Sequence, residues 1–254
     1  MSIGLLGAFL TMVRMIDFWG SDRWPRVRPF IQGTICIVYW PKAALASSRR
    51  TSPSVNSRSC GVDSSGAGEA NGKVPALVDG DTVVFDSNAI LLYLADKTQK
   101  FVPATSDSAQ RGTMLSWLMF IASGIGPYSG QAVHFRNMAP EPKEYALNRY
   151  DFEAHRHWSV LEKHLAQNTY MLGEHYSIVD MALWGWARML PYVLGTGEAT
   201  WTHYPHIKRL LDAVNARPAA QRAEAFKAKY TFKTEMDAEA KKFMFPQNER
   251  LNHS

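Results

Sequence analysis

Two short runs, Val74-Pro75 and Asp86-Ser87, carry residue types that could hold a peptide-like ligand. A proline at the start of a strand removes a ladder donor, so it belongs at an edge or in a turn. A cis bond there would turn the Val74 backbone outward and leave its N–H and C=O free to pair with an extended peptide. An ordinary trans proline would merely open the strand. Asp86-Ser87 stands just before the apolar run Ala89-Ile90-Leu91-Leu92-Tyr93-Leu94-Ala95, where a helix should start. The unpaired N–H groups and positive dipole end of such a start suit a carboxylate, and the Ser87 hydroxyl adds a donor. Asp86 could accept from a ligand ammonium beside it. The simpler role for Ser87 is to cap the helix.

A third constellation is structural. In Tyr176-Ser177-Ile178-Val179-Asp180-Met181 the spacing is that of a capping box, with Ser177 bonding the Asp180 N–H and Asp180 reaching back to Ser177. Tyr176 and Met181 occupy the staple positions. Loss of the Asp180 carboxylate should cost about 1–2 kcal/mol on the scale of helix caps. Other reactive residue types give weaker patterns. His134, His155, His157 and His164 lack metal-ligand spacing, and no metal site is expected. His155 and His157, two apart, point to different faces of a helix. Cys36 and Cys60 form neither a CxxC motif nor a disulfide framework. Trp117, Trp158, Trp184 and Trp186 read as core residues.

The elements that must position these residues fall into two groups. Residues 16–19 could open a strand, and the β-branched and aromatic run at 34–40 is a strong strand signal. From 46 to 72 the chain is rich in Ser, Arg and Gly and reads as loop or disorder. Residues 73–78 and 82–85 predict a hairpin turning at Asp79-Gly80-Asp81, followed by the helix after Asp86-Ser87-Asn88. Beyond 106 the pattern is helical throughout. Residues 109–139 form a long apolar stretch with a kink expected at Gly124 and Gly126-Pro127. Helices are predicted at 145–167, 177–193 (central and buried), 205–216 and 218–229. A polar tail occupies 231–254. The expected organisation is one unit at 15–100, atypical over 19–71, an all-helical unit at 106–230, and the tail.

The chain of 254 residues carries a formal charge of +5, much of it between Arg23 and Arg58. That describes a local arginine excess, and no nucleic-acid-binding signature accompanies it. The apolar run at residues 3–10 is far short of the roughly 20 residues that span a bilayer and lacks the features of a signal peptide. A cytoplasmic protein without membrane or nucleic-acid partners is expected.

The unit Gly72-Lys73-Val74-Pro75-Ala76-Leu77-Val78-Asp79, a hairpin, then Phe85-Asp86-Ser87-Asn88-Ala89-Ile90-Leu91-Leu92-Tyr93-Leu94-Ala95 resembles the glutathione-binding β-β-α unit of glutathione transferases. The capping box resembles that of the family's buried sixth helix. Trp117-Leu118-Met119-Phe120, Gly126-Pro127, Gly130-Gln131, His134-Phe135, Ala139-Pro140 and Tyr145-Ala146-Leu147-Asn148-Arg149-Tyr150 resemble the bacterial nu-class branch, which is similar to the yeast prion nitrogen regulator. The resemblance spans residues 72–226. It implies an α/β thioredoxin-like domain followed by an all-α helical bundle, glutathione as co-substrate, and a homodimer. The implied activity is that of a glutathione transferase or glutathione-dependent disulfide reductase acting on a small electrophile or disulfide. It assigns Val74 and Pro75 to the cysteinyl part of glutathione and Asp86 and Ser87 to the γ-glutamyl part, with Arg149 as a further contact. Arg149 reads equally as a surface ion-pair member. The family more often has Glu before the Ser, and Asp86 is one methylene shorter.

The resemblance stops between residues 19 and 71. Met15-Ile16-Asp17-Phe18 resembles the usual start of the nu-like branch, which would make residues 1–14 an extension. The Thr-Pro-Asn loop of that branch, whose donors would stabilise the glutathione thiolate, is replaced by Trp19-Gly20-Ser21-Asp22-Arg23-Trp24-Pro25. Ser21 is the nearest candidate hydroxyl. Three readings stand open for the interval: a divergent folded segment with 34–40 as a strand, a partly disordered one, or a shifted reading frame. A catalytically impaired glutathione-transferase-like binding or regulatory protein is therefore the alternative to an enzyme.

Overall fold

The computed structural model describes residues 36–37, 75–79 and 82–227, with 237, 238, 240, 245 and 248 near the C-terminus. The readings at 16–19 and 46–72, together with Ser21, Cys60 and Val74, lie outside these residues. Strand β1 (Cys36–Ile37) falls within the predicted run at 34–40. It pairs antiparallel with β2 (Ala76–Asp79), which pairs antiparallel with β3 (Thr82–Phe85), in the sheet order β1-β2-β3. The hairpin register sets Ala76 opposite Phe85 and Asp79 opposite Thr82.

Helix α1 (Ser87–Thr98) covers one face of the hairpin. Period-two alternation turns Leu77 inward against Ile90 and Leu94, while Val83 and Phe85 face out. At its far end the helix is tied back to the hairpin, because the Tyr93 hydroxyl donates to Asp79 Oδ2 at 2.8 Å and Lys97 Nζ pairs with the same oxygen. These neighbours hold the Asp79 carboxyl below its usual range, the Lys97 hydrogen bond contributing most.

The helical half contains α2 (Ser108–Phe120), a π-helical turn (Ile121–Ile125), α3 (Gly126–Asn137) and α4 (Glu144–Leu165). It continues with α5 (Ile178–Ala187), α6 (Leu190–Leu194), a 3-10 turn (Gly197–Ala199), α7 (Thr200–His203), α8 (Pro205–Asn215) and α9 (Pro218–Lys227). Two sequence expectations change. The interruption of the long apolar stretch is a π turn. The helix expected at 177–193 breaks after Ala187, because Pro191 has no N–H to return to the carbonyl four residues back and instead opens α6 near its first position.

The π turn has a packing consequence. It brings the Gly124 backbone against the buried His157 ring, which is stacked on Tyr128 at 4.7 Å and lies 5.1 Å from the Phe120 ring. A Cβ at Gly124 would lie 2.5 Å from His157 Cδ2. His157 Nδ1 is 2.7 Å from the Glu153 carbonyl, which places the ring proton on that nitrogen. An imidazole bounded in this way has little room to retreat.

Helix α5 is the centre of the bundle, and all its residues except Trp186 are buried. Its capping box is complete in both arms. Asp180, fully shielded from water, accepts from the Ser177 N–H at 2.8 Å and the Ser177 hydroxyl at 3.0 Å through Oδ2. Through Oδ1 it also accepts from the Met171 N–H at 2.7 Å, a tie to the preceding loop that lies beyond the box. Burial pushes its carboxyl up to about 6 against the pull of these donors.

Three measurements follow. Asp180→Ala strands two buried N–H donors, each worth about 1–3 kcal/mol, and should lower the unfolding free energy by roughly 2–5 kcal/mol, more than a cap alone. An effect under about 1 kcal/mol in urea denaturation would refute the double role. A folded-state carboxyl raised above its unfolded value favours folding fully below the unfolded value of about 3.9 and loses that contribution as pH rises to about 6. The stability of wild type relative to Asp180→Asn should therefore fall from pH 4 to pH 6.5, by on the order of 3 kcal/mol; a rise would reverse the assignment. Gly124→Ala should cost about 1–3 kcal/mol through overpacking against His157, and His157→Ala should relieve it in a double-mutant cycle.

Candidate functional site

The β2–β3 register places the two predicted ligand-holding runs together. Ala76 and Phe85 are partners, so Pro75 and Asp86, the residues just outside that pair, share one end of the hairpin. Pro75 is buried there, Asp86 is exposed and Ser87 is half-buried.

At the start of α1 the cap is Asp86. Its Oδ1 accepts from the Asn88 N–H at 2.9 Å and the Ala89 N–H at 3.1 Å, while its carbonyl takes the first helical bond from Ile90. The capping role considered for Ser87 thus belongs to its neighbour. Ser87 becomes the first helical residue, and its hydroxyl has no hydrogen-bond partner among the described residues. Asp86 also has φ 66° and ψ 132°, outside the comfortable regions for an L-residue. A backbone held there costs on the order of 1–3 kcal/mol. The turn therefore offers one carboxylate oxygen, Oδ2, beside a free hydroxyl and a helix N-terminus. An acceptor next to donors suits a zwitterionic head, with ammonium on Asp86 and carboxylate on the Ser87 hydroxyl and N–H, the next two N–H groups being taken by Asp86 Oδ1.

Asn88 anchors this turn to the helical half. It is only 6% exposed, and its Nδ2 donates to the Leu118 carbonyl at 3.3 Å, near the C-terminal end of α2. Sequence reasoning treated Asn88 as part of a cap cluster and missed this role. A signal was present: helical spacing places Asn88 on the same face as Leu91 and Ala95, where a polar residue needs a partner. The connection between the two halves is secured nearby, with the Ile178 N–H donating to the Phe101 carbonyl at 3.0 Å. Arg111 Nη2 also pairs with Asp96 at 3.0 Å.

Arg149 lies on α4 with its side chain 52% exposed and Nη1 on Glu153 Oε1 at 2.9 Å. No contact joins it to Pro75, Asp86 or Ser87. Glu153 is buried and also receives Arg156 Nε at 2.8 Å, whose guanidinium holds the carboxyl below its usual range. Arg149 therefore has a surface ion pair and nitrogens left over for a ligand. Among the described residues there is no group of His, Cys, Asp and Glu suited to a metal ion, and no helix long and apolar enough to cross a membrane.

Comparison with known proteins adds the family. The model of the glutathione S-transferase C-terminal domain matches residues 118–218, and that of the N-terminal domain matches residues 67–96. The disulfide-bond oxidoreductase YfcG of Escherichia coli is 36% identical over 167 residues, which are 60% of this chain and 72% of YfcG. The disulfide-bond oxidoreductase YghU of the same organism is 40% identical over 60% of this chain, but the match spans only 54% of YghU. The crystal structure of the glutathione transferase URE2P6 from Phanerochaete chrysosporium in complex with oxidized glutathione aligns with a TM-score of 0.60. It shares 31% identity over 64% of this chain and 76% of that one. With a short thioredoxin-like sheet and helix ahead of an all-helical domain, the chain belongs to the glutathione S-transferase family, in the branch of YfcG and the Ure2p-like transferases.

Proposed function

We propose that the protein is a glutathione-dependent disulfide oxidoreductase, and the observation that carries this reading is the Asp86-Ser87 turn. Asp86 uses one oxygen for the helix cap and keeps the other for the γ-glutamyl ammonium. The Ser87 hydroxyl and backbone N–H take the γ-glutamyl carboxylate. The Val74 backbone, ahead of Pro75, pairs with the cysteinyl part, and Arg149 supplies a further cationic contact. The disulfide-bond oxidoreductase names of the Escherichia coli relatives and the oxidized glutathione in the fungal structure support the same reading.

Glutathione supplies the sulfur chemistry, and the protein supplies binding and orientation. The thiolate of one glutathione attacks a substrate disulfide, forming a mixed disulfide and releasing one substrate thiol. A second glutathione thiolate attacks the glutathione sulfur of that mixed disulfide, releasing the other substrate thiol and glutathione disulfide. The substrate disulfide gains two electrons, and two glutathione thiols lose them. Ser21 remains the candidate donor to the attacking sulfur. The exposed Leu115 and Met119, one turn apart on α2, and Val83 and Phe85 on β3 support a homodimer, and the setting proposed is cytoplasmic.

One observation favours a second reading, a glutathione-binding module without turnover. The N-terminal family match begins only at residue 67, after the interval in which a thiol-activating donor would stand. Retention on immobilised glutathione together with reduction of a model disulfide supports the enzyme. Retention without reduction selects the binding module, and absence of retention defeats both.

Ser87→Ala should weaken glutathione binding about 10-fold or more, the value of a hydrogen bond to a charged group, with little change in thermal stability. Asp86→Gly separates binding from folding. Glycine relieves the positive φ and is an acceptable cap, so stability should change by less than about 1 kcal/mol. Loss of the ammonium partner should raise the glutathione Kd roughly 10-fold or more. An unchanged Kd by calorimetry would remove Asp86 from the site.

A further inference from the structure

A cavity of about 510 Å3 opens between the C-terminal half of α4 and the chain running from α6 to α8. None of its lining residues comes from β2, β3, α1 or α2, so it is separate from the turn proposed for glutathione. Its volume is in the range of small-molecule sites.

The acidic groups around it are engaged. Asp151 pairs with Arg136 and lies 3.9 Å from His155, and Glu162, the one carboxylate among the described lining residues, is bound at both oxygens. Its Oε1 accepts from the His206 N–H at 3.0 Å and lies 2.6 Å from His206 Nδ1, and its Oε2 accepts from the Ile207 N–H at 3.0 Å. That carboxylate serves the N-terminus of α8 and has little left for a ligand. Lys163 and His203 also line the cavity, and neither has an ion pair or hydrogen bond among the described residues. His155 is held in place by the buried Tyr204, its Nδ1 lying 3.1 Å from the phenol oxygen. Leu194 and the Tyr204 ring supply apolar wall. At the rim the Thr196 and Thr200 hydroxyls bond each other at 2.5 Å, which fixes the loop that closes that side.

We propose that this cavity binds a small organic carboxylate with an apolar body, its carboxylate held by Lys163 and His203 and its body lying against Leu194 and Tyr204. Lys163, without a carboxylate partner among the described residues, supplies the anion preference, and the His203 ring adds a hydrogen-bond donor. The apolar wall supplies the preference for an aromatic or aliphatic acid over a bare inorganic anion.

The test uses the full chain and 1-naphthoate, followed by its own fluorescence. Saturable binding is expected that saturating glutathione leaves unchanged. Lys163→Gln and His203→Gln should each weaken it about 5- to 10-fold, the loss of one charge-assisted hydrogen bond. Both side chains are exposed, so the fold should survive, and thermal melting of each variant verifies that. Lys143→Gln, a surface lysine paired with Glu141, should bind as wild type. Three outcomes would overturn the proposal: no saturable binding, displacement of the probe by glutathione, or wild-type affinity in both cavity variants. Failure of glutathione binding elsewhere on the protein would leave this result untouched.

Discussion

The shielded carboxylate of Asp180 fixes the start of the helix on which the whole bundle is assembled. Helix α5 packs against α1, α2 and α8, so its position sets those of its neighbours. The carboxylate holds that position by gathering donors from two directions, the Ser177 turn and the Met171 backbone. A buried polar group of this kind is costly unless every bond is made. Here the bonds are made to chain segments that have nowhere else to go. The arrangement trades ionisation against backbone order: the group is reluctant to be charged, yet its removal would strand the donors it collects.

From that helix the organisation passes outward to the glutathione turn. Among the described residues, the hairpin and α1 share a core of Leu77, Ile90 and Leu94. They lean on the bundle through the Asn88–Leu118 hydrogen bond, the Arg111–Asp96 pair and the Phe101–Ile178 link. The ligand-holding turn is thus tied to the helical half at several points.

Much of this was legible in the residues. Alternation and turn chemistry located β3 exactly and β2 to within a few residues, and apolar periodicity located the long helix α4 to within two residues at each end. The capping-box spacing at Ser177 and Asp180 corresponds to a complete box. What sequence reasoning missed were choices between partners. Either Asp86 or Ser87 could have capped α1, and only the backbone twist at Asp86 decides it. The second acceptor role of Asp180 depends on where the Met171 loop lies, which no local pattern encodes. The π turn accompanies the close fit of Gly124 against His157, residues 33 positions apart, which no local pattern encodes either. The break after Ala187 was encoded by Pro191 and was overridden by the apolar character of the run. Val74 and Ser21 lie outside the described residues, so their part of the proposed site rests on the family resemblance.

The shorter acid at position 86 has a thermodynamic consequence. Because one oxygen restrains the first turn of α1 while the other faces the proposed ligand, the same side chain belongs to two equilibria. A ligand ammonium that fixes this carboxylate would also suppress fraying of the helix start, and by reciprocity a change that frays the first turn weakens the ligand by up to the free energy of that coupling. A glutamate, a poorer helix cap, would separate these tasks. With aspartate, occupancy and local order are linked at a single side chain.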